Sequence, residues 1–399
     1  MKTREVKLGE VANVKGGKRI PKGIGLINIP NGHPYIRVRD LNNKRVLELD
    51  NSYEYVDNET QKVISKYTVK TGDVVLSIVG TIGLVSIVGR TLDGANLTEN
   101  CVKLSSFHGV NRDFLYYYLR SDCGQQEIRC GTVGAVQAKL PIKNIQNIAI
   151  NLPDYTTQER IASLLLSIDR KIELNQKIND NLEQQAVTYF QELYINNANP
   201  MWQIGTISDL GTVVGGSTPS KTKPEYYTNN GIAWITPKDL SINKSKFISH
   251  GENDITELGL KNSSATVMPK GTVLFSSRAP IGYIAIASNE VTTNQGFKSV
   301  VPYLEIGTAF VYFFLKHSLP VIESAASGST FKEISGSAMK NIPAIIPDRS
   351  TLDQFNSFCA PIFAQQKILE DQNYSLAMLR DSLLPKLMSG AIDIASIQL

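Results

Sequence analysis

From Thr156 the chain reads TTQERIASLLLSIDRKIELNQKINDNLEQQAVTYFQEL, and every seventh position is apolar but one: Ile161, Ile168, Asn175, Leu182, Tyr189. Leu165, Ile172, Ala186 and Leu193 widen this series into a stripe that a helix presents on one side. Breakers are almost absent, and Thr156 followed by Glu159 has capping-box spacing. The pattern predicts one long helix. At 1.5 Å per residue, Thr157 to Leu193 would form a rod of roughly 55 Å. The series returns near the C-terminus as Phe355, Ile362, Leu369, Leu376 and Leu383, with Ser350 and Asp353 in the capping positions. Pro361 and Pro385 predict a kink at the start of this second helix and its termination after Leu384.

Upstream of each long stripe the period is shorter. DVVLSIVGTIGLVSIVG (73–89) and TVLFSSRAPIGYIAIAS (272–288) are rich in β-branched residues and broken by Gly and Pro, which predicts strands joined by tight turns. RDFLYYYLRS and TAFVYFFLKHS then predict short helices. The two halves also match residue by residue. Gly16-Gly17 recurs as Gly215-Gly216, Arg39-Asp40-Leu41 as Lys238-Asp239-Leu240 and Ile82-Gly83 as Ile281-Gly282, all at one offset. The chain is two copies of one unit.

This predicts an α+β fold: a first globular domain over 1–152, a long helix over 153–199, a second globular domain over 200–347, and a second long helix with a tail over 348–399. Two helices with matching heptads pack most simply as an antiparallel coiled coil, which relates the copies by an approximate two-fold. Asn175 in its seam fixes the register or sits at its wet edge.

Composition narrows the class. With 42% hydrophobic residues, the chain can form two or three globular domains with proper cores, no apolar run reaches membrane-spanning length, and MKTREVKLGE is no signal peptide, so a cytoplasmic protein without membrane partners is expected. Cys101, Cys123, Cys130 and Cys359 lack paired spacing and are expected as buried thiols, and the four histidines are scattered, so no metal site is expected. Net charge is only +4, but Lys2 to Arg45 hold 11 basic residues against Glu5, Glu10 and Asp40. Such a block suits phosphate-backbone binding, as it suits a solvated basic face.

Catalytic constellations are missing. There is no methyltransferase N/D-P-P-Y/F motif, no Gly-rich cofactor loop after a strand, no nuclease P-D…E-x-K run and no G-x-S-x-G. GGSTPSKT (215–222) approaches a phosphate loop, but Ser220 replaces its second glycine, Pro219 deletes an N–H, and a turn-like TKPEYYT follows.

The order of GDVVLSIVGTIG, SSRAPIG, NQGF and GSTFKEIS, with a long helix closing each half after KNI…P, resembles the specificity subunit of type I restriction-modification enzymes. The resemblance covers essentially the whole chain. It implies two target recognition domains, each reading one half of a bipartite, asymmetric double-stranded DNA sequence, with the helices as spacer. It also implies two modification (methyltransferase) subunits docked on the helical regions, and restriction subunits with ATP-dependent translocase and nuclease activity. S-adenosylmethionine, ATP and Mg would be used by those partners, and this chain would bind no cofactor and catalyse nothing.

Under that reading Arg278 suits bidentate recognition of guanine, and Asn294 and Gln295 suit adenine. Ser329, Thr330 and Lys332 suit phosphate oxygens, as do Lys221 and Lys223, and Lys238 is a further DNA-binding candidate. The first half holds Val79 where the second holds Arg278, so it must read through other residues: Arg37, Arg39, Gln137 and Lys139, with Lys18, Arg19 and Lys22 beside its Gly-Gly turn. Two rival readings are a stand-alone DNA-binding regulator without catalytic partners and an enzyme with a degenerate nucleotide loop at 215–222.

Overall fold

The computed structural model describes residues 2–41, 44–134, 136–278, 280–328 and 332–394. Two compact units form: Met1–Lys171 with Ser375–Leu399, and Ile172–Tyr374. Each takes part of both long helices, Tyr155–Gln191 and Arg349–Met388.

In the first unit a five-stranded sheet runs in the order Asn13–Gly16, Cys101–Ser105, Val74–Ser77, Val85–Val88, Val46–Leu47, with only the last pair parallel. Every residue of Val74–Ser77 is buried, because the strand is covered on both faces. Val74 and Leu76 enter a core with Phe114 of the helix Arg112–Arg120, whereas Val75 points the other way, toward Ile36 and Leu97 of a small sheet. This is the two-residue alternation of a pleated strand serving two cores. Thr3–Lys7 pairs with Ala149–Pro153 and closes the unit on itself.

The second unit repeats the order strand for strand: Gly211–Gly215, Lys298–Pro302, Val273–Ser277, Ile281–Ala287, Phe247–Ile248. Val273 and Phe275 face the helix Thr308–His317, and Leu274 faces the small sheet with Ile235. Gln203–Thr206 closes this unit with Pro343–Ile346.

Both long helices form, but their ends differ from the sequence expectation. The first is capped by Asp154, whose carboxylate accepts from the Thr157 N–H at 3.0 Å and the Thr157 hydroxyl at 2.7 Å. Asp348 does the same with Thr351 in the second. The predicted capping pairs, Thr156 with Glu159 and Ser350 with Asp353, therefore lie inside the first turn. An aspartate after a proline takes their place, because its two oxygens serve an N–H and a hydroxyl at once. The second helix also does not stop after Leu384. It continues through Pro385 to Met388 and ends at Gly390, whose φ of 75° is the left-handed stop. Proline removes one N–H, but its carbonyl still accepts from Ser389 at 3.0 Å, so the helix survives it.

Within the second unit, Asn175 donates to Asn373 at 2.9 Å, Gln366 donates to the Asn179 carbonyl at 3.0 Å, and Tyr189 stacks on Phe355. Partners fall along one helix as they rise along the other, so the two segments run antiparallel. In the first unit Asp169 pairs with Arg380 at 2.8 Å and accepts from the buried Tyr117 hydroxyl at 2.6 Å. Of the predicted stripes, Ile161, Ile168, Asn175, Phe355, Ile362 and Leu369 are buried, and Leu182, Tyr189, Leu376 and Leu383 are half-buried. Asn175 lies in the dry seam, not at its wet edge. All four cysteines are free, but only Cys101 and Cys359 are buried. Cys123 and Cys130 are exposed on the short helix Asp122–Gly131, which corrects the expectation of four buried thiols.

Candidate nucleic-acid interface

Each unit builds its Gly-Gly turn in the same way. A Cβ on Gly17 would overlap the carbonyl oxygens of Leu97 and Thr98, and one on Gly216 would overlap that of Asn294. The second glycine of each pair is thus required by backbone packed against backbone. Next in the chain, the Lys18 carbonyl accepts from the Tyr35 hydroxyl at 2.8 Å, and the Ser217 carbonyl accepts from the Trp234 indole N–H at 3.0 Å. The turn is therefore a rigid platform. After Thr222 the chain enters only a single 3-10 turn, Pro224–Tyr226, so GGSTPSKT has no helix N-terminus to offer a nucleotide phosphate.

In the first unit the platform and the loop after Pro34–Ile36 bring Arg19, Lys22, Arg37 and Arg39 around one depression, floored by Tyr35 and edged by Glu99. The guanidiniums are not loose. Arg19 pairs with Glu99 at 2.5 Å, Arg39 reaches Glu54 at 2.7 Å, and Arg37 pairs with the same Glu54. Arg37 also keeps Nε and Nη2 buried without hydrogen-bond partners. Asp40 caps the turn beneath by accepting from the Arg37 N–H at 2.7 Å. Burial pushes its carboxyl up to about 6, against the pull of the Arg39 guanidinium.

The second unit holds its equivalents by the same device. Asp239 accepts from the Thr236 N–H at 2.7 Å, and Lys238 pairs with Glu252 at 2.5 Å. Lys223 lies 3.8 Å from Glu225. Arg278 lies 3.4 Å from Glu333, which Lys298 approaches from its other oxygen at 3.7 Å. Asn294 spends its side-chain carbonyl on the Gly296 N–H at 2.9 Å, and Gln295 meets the Thr218 hydroxyl. Lys22, Lys139, Lys221 and Lys332 are exposed and make no ion pair among the described residues, and Lys18 lies 5.7 Å from the centre of the Tyr67 ring. Gln137 and Lys139 sit exposed, and Lys139 bridges to Val133. Ser329 and Thr330 lie outside the described residues.

The cations are named by the sequence alone, whereas the carboxylates that hold them, Glu54, Glu99, Glu252 and Glu333, are not. Nor are Lys66 and Lys103, which join Lys15 around a second depression beside Gly16 and Tyr67. The site offers positioned ammonium and guanidinium groups, suited to phosphates and to base edges. Among the described residues no cluster of His, Cys, Asp and Glu could hold a metal ion, and no helix is long and apolar enough to cross a membrane.

Comparison with known proteins gives the family and the fold. The family model described as type I restriction modification DNA specificity domain matches twice, over residues 2–184 and 199–371. The specificity subunit of the type I restriction enzyme MjaIX from Methanocaldococcus jannaschii is 43% identical over 162 residues, which are 40% of this chain and 37% of that protein. The chain thus spans little more than a third of that relative's length. The HindI specificity subunit of Haemophilus influenzae is 23% identical over 341 residues, covering 67% of this chain and 73% of that one. The crystal structure of a type I restriction-modification S subunit from M. genitalium shares the fold. Its TM-score is 0.56 at 17% identity, over 97% of this chain and 99% of that one.

Proposed function

This chain belongs to the type I restriction modification DNA specificity family, and from that premise we propose that it is the DNA-recognition subunit of a type I restriction-modification complex. Each unit reads one half of a bipartite, asymmetric double-stranded target. The long helices act as spacer and dock two modification subunits, which methylate adenine with S-adenosylmethionine, and restriction subunits add ATP- and Mg-dependent translocation and cleavage. The chain itself supplies the address and no chemistry.

The observation that carries this reading is the repetition. One sheet order is built twice, the same family model matches both copies, and the platform hydrogen bonds recur while the side chains around them differ. Two equal scaffolds with unequal surfaces suit two unequal half-sites. The test is methylation mapping of genomic DNA with and without this chain, together with co-purification. A methyltransferase subunit should co-purify, and a bipartite motif should appear only when the chain is present. Specific DNA binding that needs no partner would instead establish a stand-alone regulator.

A further inference from the structure

The two units share one further construction, at the turn that follows the central strand. In the first unit Ser77 donates its hydroxyl to the Thr81 carbonyl at 2.6 Å and accepts from the Leu84 N–H at 2.8 Å. In the second, Ser276 donates to the Pro280 carbonyl at 2.8 Å and accepts from the Tyr283 N–H at 2.7 Å. A segment from far along the chain then meets each turn. The Leu140 N–H donates to the Ile78 carbonyl at 3.0 Å, and the Ile334 N–H to the Ser277 carbonyl at 3.1 Å. Both segments carry a matching backbone bridge, Val133 to Lys139 and Ser327 to Glu333.

On this repeated frame one pair of positions carries opposite chemistry. The residues bridged between the strand end and that segment are Val79 and Lys139 in the first unit, and Arg278 and Glu333 in the second. The backbone is the same, while an apolar side chain beside a cation is exchanged for a cation beside an anion. Arg278 and Glu333 are each a little over a third exposed, at 37% and 39%, so they remain open to a ligand. Glu333 is held in turn by Lys298, whose side chain is only 15% exposed. A stability role would not require this exchange, since the backbone frame closes equally well with Val79 and Lys139.

We propose that this bridged pair is where the two units acquire different DNA specificities, and that Glu333, itself anchored by Lys298, positions the Arg278 guanidinium for the edge of one guanine in the second unit's half-site. This rests on the DNA-recognition reading above. A planar guanidinium has to meet the O6 and N7 acceptors of guanine together, and a carboxylate behind it removes the rotational freedom that would otherwise weaken that fit. Glu333 is thus a positioning residue, acting through Arg278.

The experiment measures binding and methylation by the full chain assembled with its methyltransferase subunits, on DNAs in which each target base pair is varied singly. Arg278→Ala should lose discrimination at one base pair of one half-site by about 10- to 100-fold, with the other half-site unaffected. Glu333→Gln keeps the shape of the side chain and should relax the same base pair, with the other half-site unaffected. Glu333→Asp should restore part of the lost discrimination, and Val79→Arg with Lys139→Glu should alter the preference of the first half-site only. If Glu333→Gln leaves discrimination intact, or weakens all sequences alike, the positioning role is overturned. If the wild-type complex shows no sequence preference at all, the recognition reading itself has failed, which the variants alone would not reveal.

Discussion

Lys246 places its ammonium against the Glu183 carboxylate and 4.1 Å from the centre of the Phe363 ring, in a site where the lysine side chain is 6% exposed. Lys316 reaches the same carboxylate at 2.6 Å, and Gln366 accepts from Lys246 at 2.6 Å. Next to this cluster Glu370 accepts the N–H groups of Lys246 and Phe247 at 2.7 and 3.1 Å. The long helices therefore hold the sheet of the second unit through a charged joint as well as through apolar packing. Glu183→Gln removes the countercharge and leaves a buried ammonium, so it should destabilise by about 3 kcal/mol. Lys246→Met leaves Glu183 paired with Lys316 and fills the apolar slot, so it should cost less. Denaturant unfolding of the two variants compares them directly, and equal losses would contradict the argument.

The same joint gives a pH dependence. Burial alone would raise the Glu183 carboxyl, but the Lys246 and Lys316 ammoniums outweigh it and hold it below the usual carboxylate range. The folded state then binds this proton less tightly than the unfolded chain. Its stabilisation is complete above the ordinary carboxylate pKa of about 4.3 and is lost as pH falls through the lower folded value. Between about pH 5 and 3 the unfolding midpoint of the wild type should fall more steeply than that of Glu183→Gln. Parallel curves would show that the pair contributes nothing.

Asn175 is fully buried in the helix seam and donates to Asn373 at 2.9 Å and Gln372 at 3.3 Å. A single amide at such a position fixes register at some expense of stability. Asn175→Leu should therefore raise the resistance to unfolding by about 1 kcal/mol while permitting alternative pairings. Sedimentation should then show oligomers that the wild type lacks. A variant that is less stable and strictly like the wild type in assembly would assign Asn175 a packing role only.

The long helices and the duplication were legible in the sequence because both are written locally: a heptad stripe, and a constant offset between short words. What escaped was brought together across the chain. Arg19 and Glu99 are 80 residues apart and meet only once the sheets have paired, and no spacing rule joins them. Arg278 and Glu333 are 55 residues apart and meet only through a backbone bridge between distant segments. The Asp154 and Asp348 caps were missed for a different reason. A capping-box match two residues downstream gave a competing local signal, and only the backbone geometry decides between them. At Pro385 the breaker rule overreached, since proline removes one N–H while its carbonyl still accepts from Ser389, and the left-handed Gly390 makes the stop.

The Gly-Gly words separate into one replaceable glycine and one that is not. Nothing lies within 4 Å of a Cβ built on Gly215, whereas one on Gly216 would collide with the Asn294 backbone and the Thr293 hydroxyl. Gly215→Ala should unfold like the wild type, and Gly216→Ala should lose about 2 to 3 kcal/mol, because the neighbouring backbone cannot withdraw. Thermal unfolding of the two single variants makes the comparison. If Gly216→Ala were tolerated, the platform would be softer than its hydrogen bonds to Trp234 and Thr293 imply.

The carboxylates around the cations predict opposite salt responses for two lysines of the second unit. Lys221 is exposed and makes no ion pair among the described residues, so a phosphate it meets releases a counterion in full. Lys221→Ala should weaken binding to all sequences alike and flatten the slope of log K against log salt by about 1. Lys238 is different, because Glu252 at 2.5 Å already neutralises it. Glu252→Gln would free that ammonium, so affinity should rise at low salt and the slope should steepen by about 1. Fluorescence anisotropy on a random-sequence duplex across a salt series reads both slopes. Two unchanged slopes would place this face of the second unit away from DNA, and two flattened slopes would mean that Glu252 orients Lys238 toward the phosphate instead of competing with it.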